Sequence, residues 1–230
     1  MSGSIGYAAT RRDIKAFIEL HVEQGPVLDF QQLDIGIVEG IVGQRRVHFT
    51  LTGQENHAGT TPMNMRDDAL VKSAELVTYI NELTEEYDGL VATVGEFNVH
   101  PNAFSVIPGR VELTMQVRDL SADVMEEFVE KVAHEFNLQV TYAHTSEPAL
   151  CDENIQKDIE ASCLEQNLRY THLPSRASHD AQNFTFCPMG MIFVPSVGGI
   201  SHSPKELTTD TQCMNGARVL LDTIRRMDYK

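Results

Sequence analysis

The chain has no tryptophan, four cysteines in 230 residues, and far fewer basic than acidic side chains. Each shortage excludes something. Cys151, Cys163, Cys187 and Cys213 are widely spaced and form no C-x-x-C pair. That argues against a disulfide frame or a zinc ribbon and for reduced thiols. Eighteen Lys and Arg stand against 33 Asp and Glu, a net charge of -15. Nucleic acid and anionic membranes need a basic face, so neither is expected as a partner. No apolar run reaches the roughly 18 residues that span a bilayer. Met1–Gly6 lacks the charged and apolar regions of a signal peptide, and a cytoplasmic location is expected.

What is present reads as α/β. Residues 1–10 read as a poorly ordered lead-in, after which Arg11-Arg12-Asp13 opens a buried strand over Ile14–Val22. The strand leads into His21-Val22-Glu23-Gln24-Gly25-Pro26. An apolar strand ending in imidazole and carboxylate is one way to build a metal site. Val47, Phe49 and Leu51 alternate with His48, Thr50 and Thr52, the pattern of a half-buried strand. A helix is predicted over Arg66–Glu86, capped by Thr61 or Asn64, with Ala69, Leu70, Ser73, Ala74, Val77, Ile80 and Leu83 inward. Strands over Leu90–Val99 and Arg110–Arg118, a helix over Ser121–Phe136 and a strand over Leu138–His144 follow. From Arg46 to Thr145 the order is β-α-β-β-α-β, which predicts a ferredoxin-like α+β domain with one uncovered sheet face.

The last third returns to another pattern. A helix is predicted over Asn154–Asn167, a loop over Leu173–Gln182, and a buried parallel strand over Met191–Val194. The closing helix is predicted over Thr208–Met227, with Met214, Ala217, Leu220, Leu221 and Ile224 inward. The two buried strands each end in a histidine-bearing loop, one with His21 and one with His202. Ligands of α/β sheets bind beyond strand C-termini. The expectation is therefore a catalytic α/β domain in two pieces, 1–43 and 148–230, interrupted by an inserted domain over 44–147.

Five motifs occur in one order: Glu19–Pro26, Val42–Arg46, Asn56–Met63, Ser178–Gln182 and Gly199–Glu206. Together they resemble the metal-dependent amidohydrolases that comprise allantoate amidohydrolase, N-carbamoyl-L-amino-acid hydrolase and β-ureidopropionase. The resemblance implies a two-domain protomer with two bridged divalent metals, zinc or manganese. It implies an inserted domain that closes over a small ureido or carbamoyl substrate and carries a homodimer contact. By position, His21 and His202 would each ligate one metal. Gln24, Arg46, Ser105, Arg118 and His179 would bind substrate, and His57 would act catalytically as a donor to the developing oxyanion. Arg118 offers a bidentate fork for a substrate carboxylate. His57 could also serve only its own turn, Arg118 could pair with Glu112 or Asp119, and His179-Asp180 could cap a helix. His48, His100, His134, His144 and His172 read as ordinary surface or strand residues.

The resemblance also implies a His-x-Asp pair, a bridging carboxylate and a Glu-Glu pair. The chain has no His-x-Asp, and Glu85-Glu86 and Glu126-Glu127 fall on helices of the inserted part. Ser105 and Ser178 stand where the resemblance implies Asn and Gly. The expectation is the C-terminal portion of a binuclear hydrolase of linear C–N bonds, inactive alone and with its metal set incomplete or absent. The alternatives are a non-catalytic dimerisation module and a half-site that completes an enzyme in trans.

Overall fold

A computed structural model of the chain describes residues 13–228. The lead-in expected over residues 1–10 lies outside them. In chain order the elements are β1 (Phe17–Val22), α1 (Val27–Phe30), β2 (Ile35–Ile41), β3 (Gly43–Thr52), β4 (Asn56–His57), α2 (Ala69–Leu83) and β5 (Val91–His100). Then come β6 (Val106–Ile107), β7 (Arg110–Asp119), α3 (Ala122–Glu135), β8 (Thr141–Ser146), β9 (Ala149–Leu150), α4 (Glu153–Glu165), β10 (Tyr170–Ser175), β11 (Met189–Val194) and α5 (Asp210–Asp228). They form two compact units, one of residues up to Ile41 and from Ala149, the other Val42–Pro148.

The first unit is built on a mixed sheet ordered β1-β11-β2-β10, with β9 added to β2. β1 runs parallel to β11, with Phe17 opposite Met189 and His21 opposite Phe193. β11 and β2 are antiparallel, and β2 and β10 are parallel. Met189–Val194 is buried throughout, as a continuous apolar run in a central strand requires. β1 departs from the expected buried strand, because every residue of it is only half-buried. Its place at the end of the strand order explains this: among the described residues only one of its edges is paired. Ile155, Ile159 and Cys163 of α4 and Val219 of α5 pack with Ile35, Ile37, Ile192 and Val194. Asp152 caps α4, its carboxylate accepting from the Asn154 and Ile155 amides at 2.8 and 3.1 Å.

α5 shows a different face from the one its sequence suggests. It buries Gly216, Val219 and Thr223, while Met214, Leu221 and Ile224 are exposed. Gly216 shows why. A Cβ there would stand 2.6 Å from Val194 Cγ1 and 2.8 Å from Leu20 Cδ1. The helix lies so close to the sheet at this point that only hydrogen fits.

The second unit has a four-stranded antiparallel sheet ordered β5-β7-β3-β8, in the chain order β-α-β-β-α-β. Val47, Phe49 and Leu51 of β3 and Leu113, Met115 and Val117 of β7 pack against Leu76, Ile80 and Leu83 of α2 and Met125, Phe128, Val129 and Val132 of α3. The opposite face is polar. Gln44 and Arg46 sit across from Arg118 and Gln116 there, and His48 from Thr114. α2 is capped by Asp68, not by Thr61 or Asn64; its carboxylate accepts from the Leu70 and Val71 amides at 2.9 and 3.3 Å. Residues 63–65 form a separate short turn of 3-10 helix, which displaces the start of α2 toward Asp68. Ser121 caps α3 through the Val124 amide at 3.3 Å.

Candidate functional site

In the first unit the candidate residues gather at the C-terminal end of β1 and in the loops after β10 and β11. His21 is the fifth residue of β1, and its Nδ1 donates to the Val22 carbonyl at 2.8 Å. That bond leaves Nε2 as the nitrogen turned to any ligand. Glu19, two residues earlier on the same strand face, accepts from the Ala181 amide through Oε2 at 2.8 Å. Its other oxygen lies 3.8 Å from His179 Nδ1. His179 is 7% exposed, and its Nε2 shares a 2.8 Å hydrogen bond with Ser175 Oγ. The His21 and His179 rings meet edge to face with centroids 4.6 Å apart. Burial first, and then the neighbouring His21, push the His179 pKa down to about 4, against a smaller upward pull from Asp180. His179 is therefore neutral at pH 7, and its contact with Glu19 is not an ion pair. Glu19, His21 and His179 each offer one ligand atom within 4.8 Å of the others.

Nothing in the sequence alone singled out Glu19. In the motif Glu19-Leu20-His21-Val22-Glu23 it is Glu23 that stands nearest the strand end. Glu23 has a structural role. It is buried, and its carboxylate oxygens accept from the Val27 and Leu28 amides, each at 2.8 Å. The signal that could have found Glu19 is the i, i+2 spacing to His21, which puts both on one face of a strand. The capping role open to His179-Asp180 does not hold, since no side chain caps the 3-10 turn over Asp180–Phe184.

Gln24 and His202 form a second group. Gln24 Nε2 donates to Ser201 Oγ at 3.2 Å and lies 3.3 Å from His202 Nε2. Its backbone amide donates to Ser196 Oγ at 3.1 Å. Both residues have left-handed backbone, with φ of 59° and 54°, a conformation that non-glycine residues adopt at a cost and mostly where the surroundings enforce it. The enforcing contacts are visible. The His202 amide donates to Glu206 Oε2 at 2.9 Å, and the Gly198 amide to Asp29 Oδ2 at 2.8 Å. A Cβ on Gly199 would stand 2.7 Å from Pro26 Cβ, so the two loops touch backbone to backbone.

The second unit holds the remaining candidates. β4 pairs with β6, setting His57 opposite Val106, and the Ala58 amide donates to the Ser105 carbonyl at 2.9 Å. The turn after His57 folds back on the ring: the Gly59 and Thr60 amides donate to Nδ1 at 2.9 and 3.2 Å. A nitrogen that accepts two N–H bonds carries no proton. The neutral ring therefore holds its hydrogen on Nε2, on the exposed side. His57 serves its turn and presents a donor outward at the same time. Arg46 and Arg118 lie on the polar sheet face, Arg46 across from Gln116 and Arg118 across from Gln44. Arg118 Nε donates to Gln116 Oε1 at 3.0 Å. Glu112, one of the two carboxylates open to Arg118 by sequence, is engaged by Arg110 at 2.6 Å and His100 at 3.3 Å. The structure thus brings His21 to His179 and Gln24 to His202 in one unit. In the other it sets the His57 turn beside Ser105 and places Arg46 and Arg118 on one sheet face, each across from a glutamine.

The first unit thus carries histidines and a carboxylate near strand ends, and the second carries arginines and an exposed imidazole. The chain belongs to peptidase family M20/M25/M40, whose model matches residues 1–226. It is 40% identical over 221 residues to the N-carbamoyl-L-amino acid amidohydrolase of Geobacillus stearothermophilus, covering 92% of this chain and 54% of the relative. It is 38% identical over 233 residues to the allantoate amidohydrolase of Bacillus subtilis (strain 168), covering 96% and 57%. A crystal structure of an amidase of the hydantoinase/carbamoylase family from Burkholderia multivorans superposes with a TM-score of 0.82 at 34% identity, over 92% of this chain and 54% of that one. The chain spans about half the length of the curated relatives it matches. No described helix is long and apolar enough to cross a membrane.

Proposed function

We propose that this chain supplies part of the active site of an amidohydrolase that cleaves a carbamoyl or ureido C–N bond in a small carboxylate-bearing substrate. The observation that carries this reading is the His57 ring, whose Nδ1 is occupied by two backbone amides and whose Nε2–H is directed outward. Such a donor is preset for an oxygen that gains negative charge as a carbonyl is attacked. The names of the relatives support the substrate class. Arg46 and Arg118, on one polar face, provide cations for the substrate carboxylate, with Arg118 able to bind it as a fork. Ser105 borders the His57 turn, and Gln24 presents an amide beside His202. In this reading the β-α-β-β-α-β unit is a ferredoxin-like inserted domain that closes over substrate and carries a homodimer contact, and the rest is the catalytic domain.

The two-metal centre that the family implies does not assemble from the described residues. His202 joins no group of three His, Cys, Asp or Glu side chains within ligating reach, among the described residues. Its ring neighbour is the amide of Gln24, a weak donor for zinc beside imidazole or carboxylate. What the described residues can do is bind and orient. The arginines fix the substrate carboxylate, and His57 donates to the oxyanion.

The test is ammonia release from N-carbamoyl-L-amino acids and from allantoate with zinc or manganese present. The chain alone is expected to be inert. Mixed with the N-terminal half of the Geobacillus stearothermophilus relative it is expected to turn over one of these substrates, and His57→Ala in this chain is expected to remove most of that rate. An inert mixture, or one indifferent to His57→Ala, overturns the reading.

A further inference from the structure

We infer that the cavity between the Gln24–Val27 segment and the loop after β10 is a side-chain pocket, and that it selects N-carbamoyl derivatives of bulky apolar amino acids over allantoate. The inference rests on the hydrolase reading and names the substrate within it. The cavity measures about 510 Å³, inside the range of roughly 300–1,000 Å³ that small-molecule sites occupy. Its apolar walls are Pro26, Val27, Leu173, Pro174, Ala177 and Phe193. Leu173 and Phe193 are buried and share one apolar cluster with Leu28 and Val38, so the core backs this part of the wall. The Gly25–Leu28 part is fixed as well. Glu23 accepts from the Val27 and Leu28 amides, and a Cβ on Gly25 would stand 2.8 Å from Glu23 Oε1. Gln24 also borders the cavity, and its side-chain amide is the group beside His202. The cavity is therefore continuous with the Gln24 end of the candidate site.

The charges around it choose among side chains. Glu23 is the one acidic residue in the lining, and both of its oxygens are spent on backbone amides. Arg176, an exposed residue, brings a positive charge to the border. A basic side chain would meet a cation and no available anion. Allantoate carries a second ureido group where an N-carbamoyl amino acid carries its side chain. Against Pro26, Val27, Leu173 and Phe193 a ureido group loses its water and gains no partner, which is costly. The side-chain N–H of Gln24 that could meet it is already given to Ser201 Oγ. An acidic side chain would gain Arg176 but desolvate against the same walls. A branched aliphatic side chain loses nothing there and gains by burial.

The experiment is amide NMR titration of the full chain with N-carbamoyl-L-leucine, N-carbamoylglycine, N-carbamoyl-L-aspartate, allantoate and 4-methylpentanoate. The leucine derivative is expected to bind at least roughly tenfold tighter than the other three ureido compounds, the low end for apolar groups filling a pocket, and to shift the Val27 and Ala177 signals. 4-Methylpentanoate has the apolar group without a ureido group, and is expected to shift the same signals. Val27→Asp places a charge in the wall at a position 38% exposed, and is expected to abolish the advantage of leucine over glycine. Circular dichroism verifies its fold, and if it is unfolded Ala177→Phe, which narrows the cavity, takes its place with the same expectation. No binding of the leucine derivative, glycine, aspartate or allantoate bound as tightly, or a leucine advantage that survives the substitution overturns the inference. The two readings fail separately. Leucine-selective binding with inert mixed halves sinks the hydrolase reading and leaves the pocket, whereas mixed halves that turn over allantoate in preference sink the pocket and leave the hydrolase.

Discussion

At the scale of single residues, the strand-end motif divides its labour between side chains that the sequence cannot tell apart. Glu19 and Glu23 flank the same histidine. One turns to the His179 ring, and the other satisfies two amides at the start of α1. Glu23 is 8% exposed and Leu28 fully buried, so losing the carboxylate leaves the Leu28 N–H with little access to water. Glu23→Ala is expected to cost about 1–3 kcal/mol, the range for a lost cap plus an unsatisfied buried donor. Urea unfolding read by circular dichroism measures it. Glu19→Ala, by contrast, removes one acceptor from an amide and is expected to cost less. If the two substitutions are equally mild, the carboxylate of Glu23 is not a structural anchor.

At the scale of elements, packing decides what periodicity leaves open. The inward face of α3 was legible: Met125, Phe128, Val129 and Val132 are all buried. Their neighbours on the helix are charged, so only one stripe could face the sheet. α5 was not legible, because its regular apolar stripe, with Met214, Leu221 and Ile224, is exposed and its true contact point is a glycine. Gly216→Ala states the conflict in energies. Alanine favours a helix over glycine by about 1 kcal/mol. Its Cβ would press on Val194 and Leu20 at 2.6–2.8 Å, and overpacking of this kind costs about 1–3 kcal/mol. The steric term is expected to win, lowering the melting temperature. A rise would mean that α5 can lift from the sheet at no cost. β10 escaped notice for a related reason. Its Tyr170–Ser175 stretch holds a proline and alternates poorly, and it becomes a strand only because β2 offers it a parallel edge. The candidate site followed the same rule. The motifs placed His21 near a strand end, while the contact of Glu19 with His179 required knowledge of which strand face meets that ring.

At the scale of the whole molecule, the α+β unit has the internal connections of a protein that folds alone. Its sheet pairs and its apolar cluster are internal. A buried cation is also satisfied within it. Arg45 is 3% exposed, and its guanidinium reaches Glu126 at 2.5 Å, Glu147 at 2.9 Å and the Ser146 carbonyl at 2.9 Å. Burial opposes the charge on Arg45, and these acceptors outweigh that penalty, so its pKa is raised. Residues 42–148 expressed alone are expected to give a dispersed amide NMR spectrum and a cooperative thermal transition. A collapsed spectrum would show that the unit needs the rest of the chain. The pH dependence of that transition follows from Glu126. Burial would raise its pKa, but hydrogen bonds from Tyr142 and Arg45 outweigh burial and hold the carboxyl below its ordinary value. Glu127, bonded to Lys131 and Tyr87, shifts the same way. A carboxylate with a depressed folded pKa contributes stability above its unfolded pKa and loses it as pH falls through the folded one. The melting temperature is therefore expected to hold steady from neutral pH to about pH 5 and to fall below about pH 4. Glu126 is 40% exposed at its side chain, so solvent damps the effect. Tyr142, pushed up to about 12 first by burial and then by Glu126, stays protonated throughout and keeps donating. Glu126→Gln is expected to lower the melting temperature at pH 7 and to flatten the acid limb. An acid limb of unchanged steepness in that variant would place the titration elsewhere in the unit.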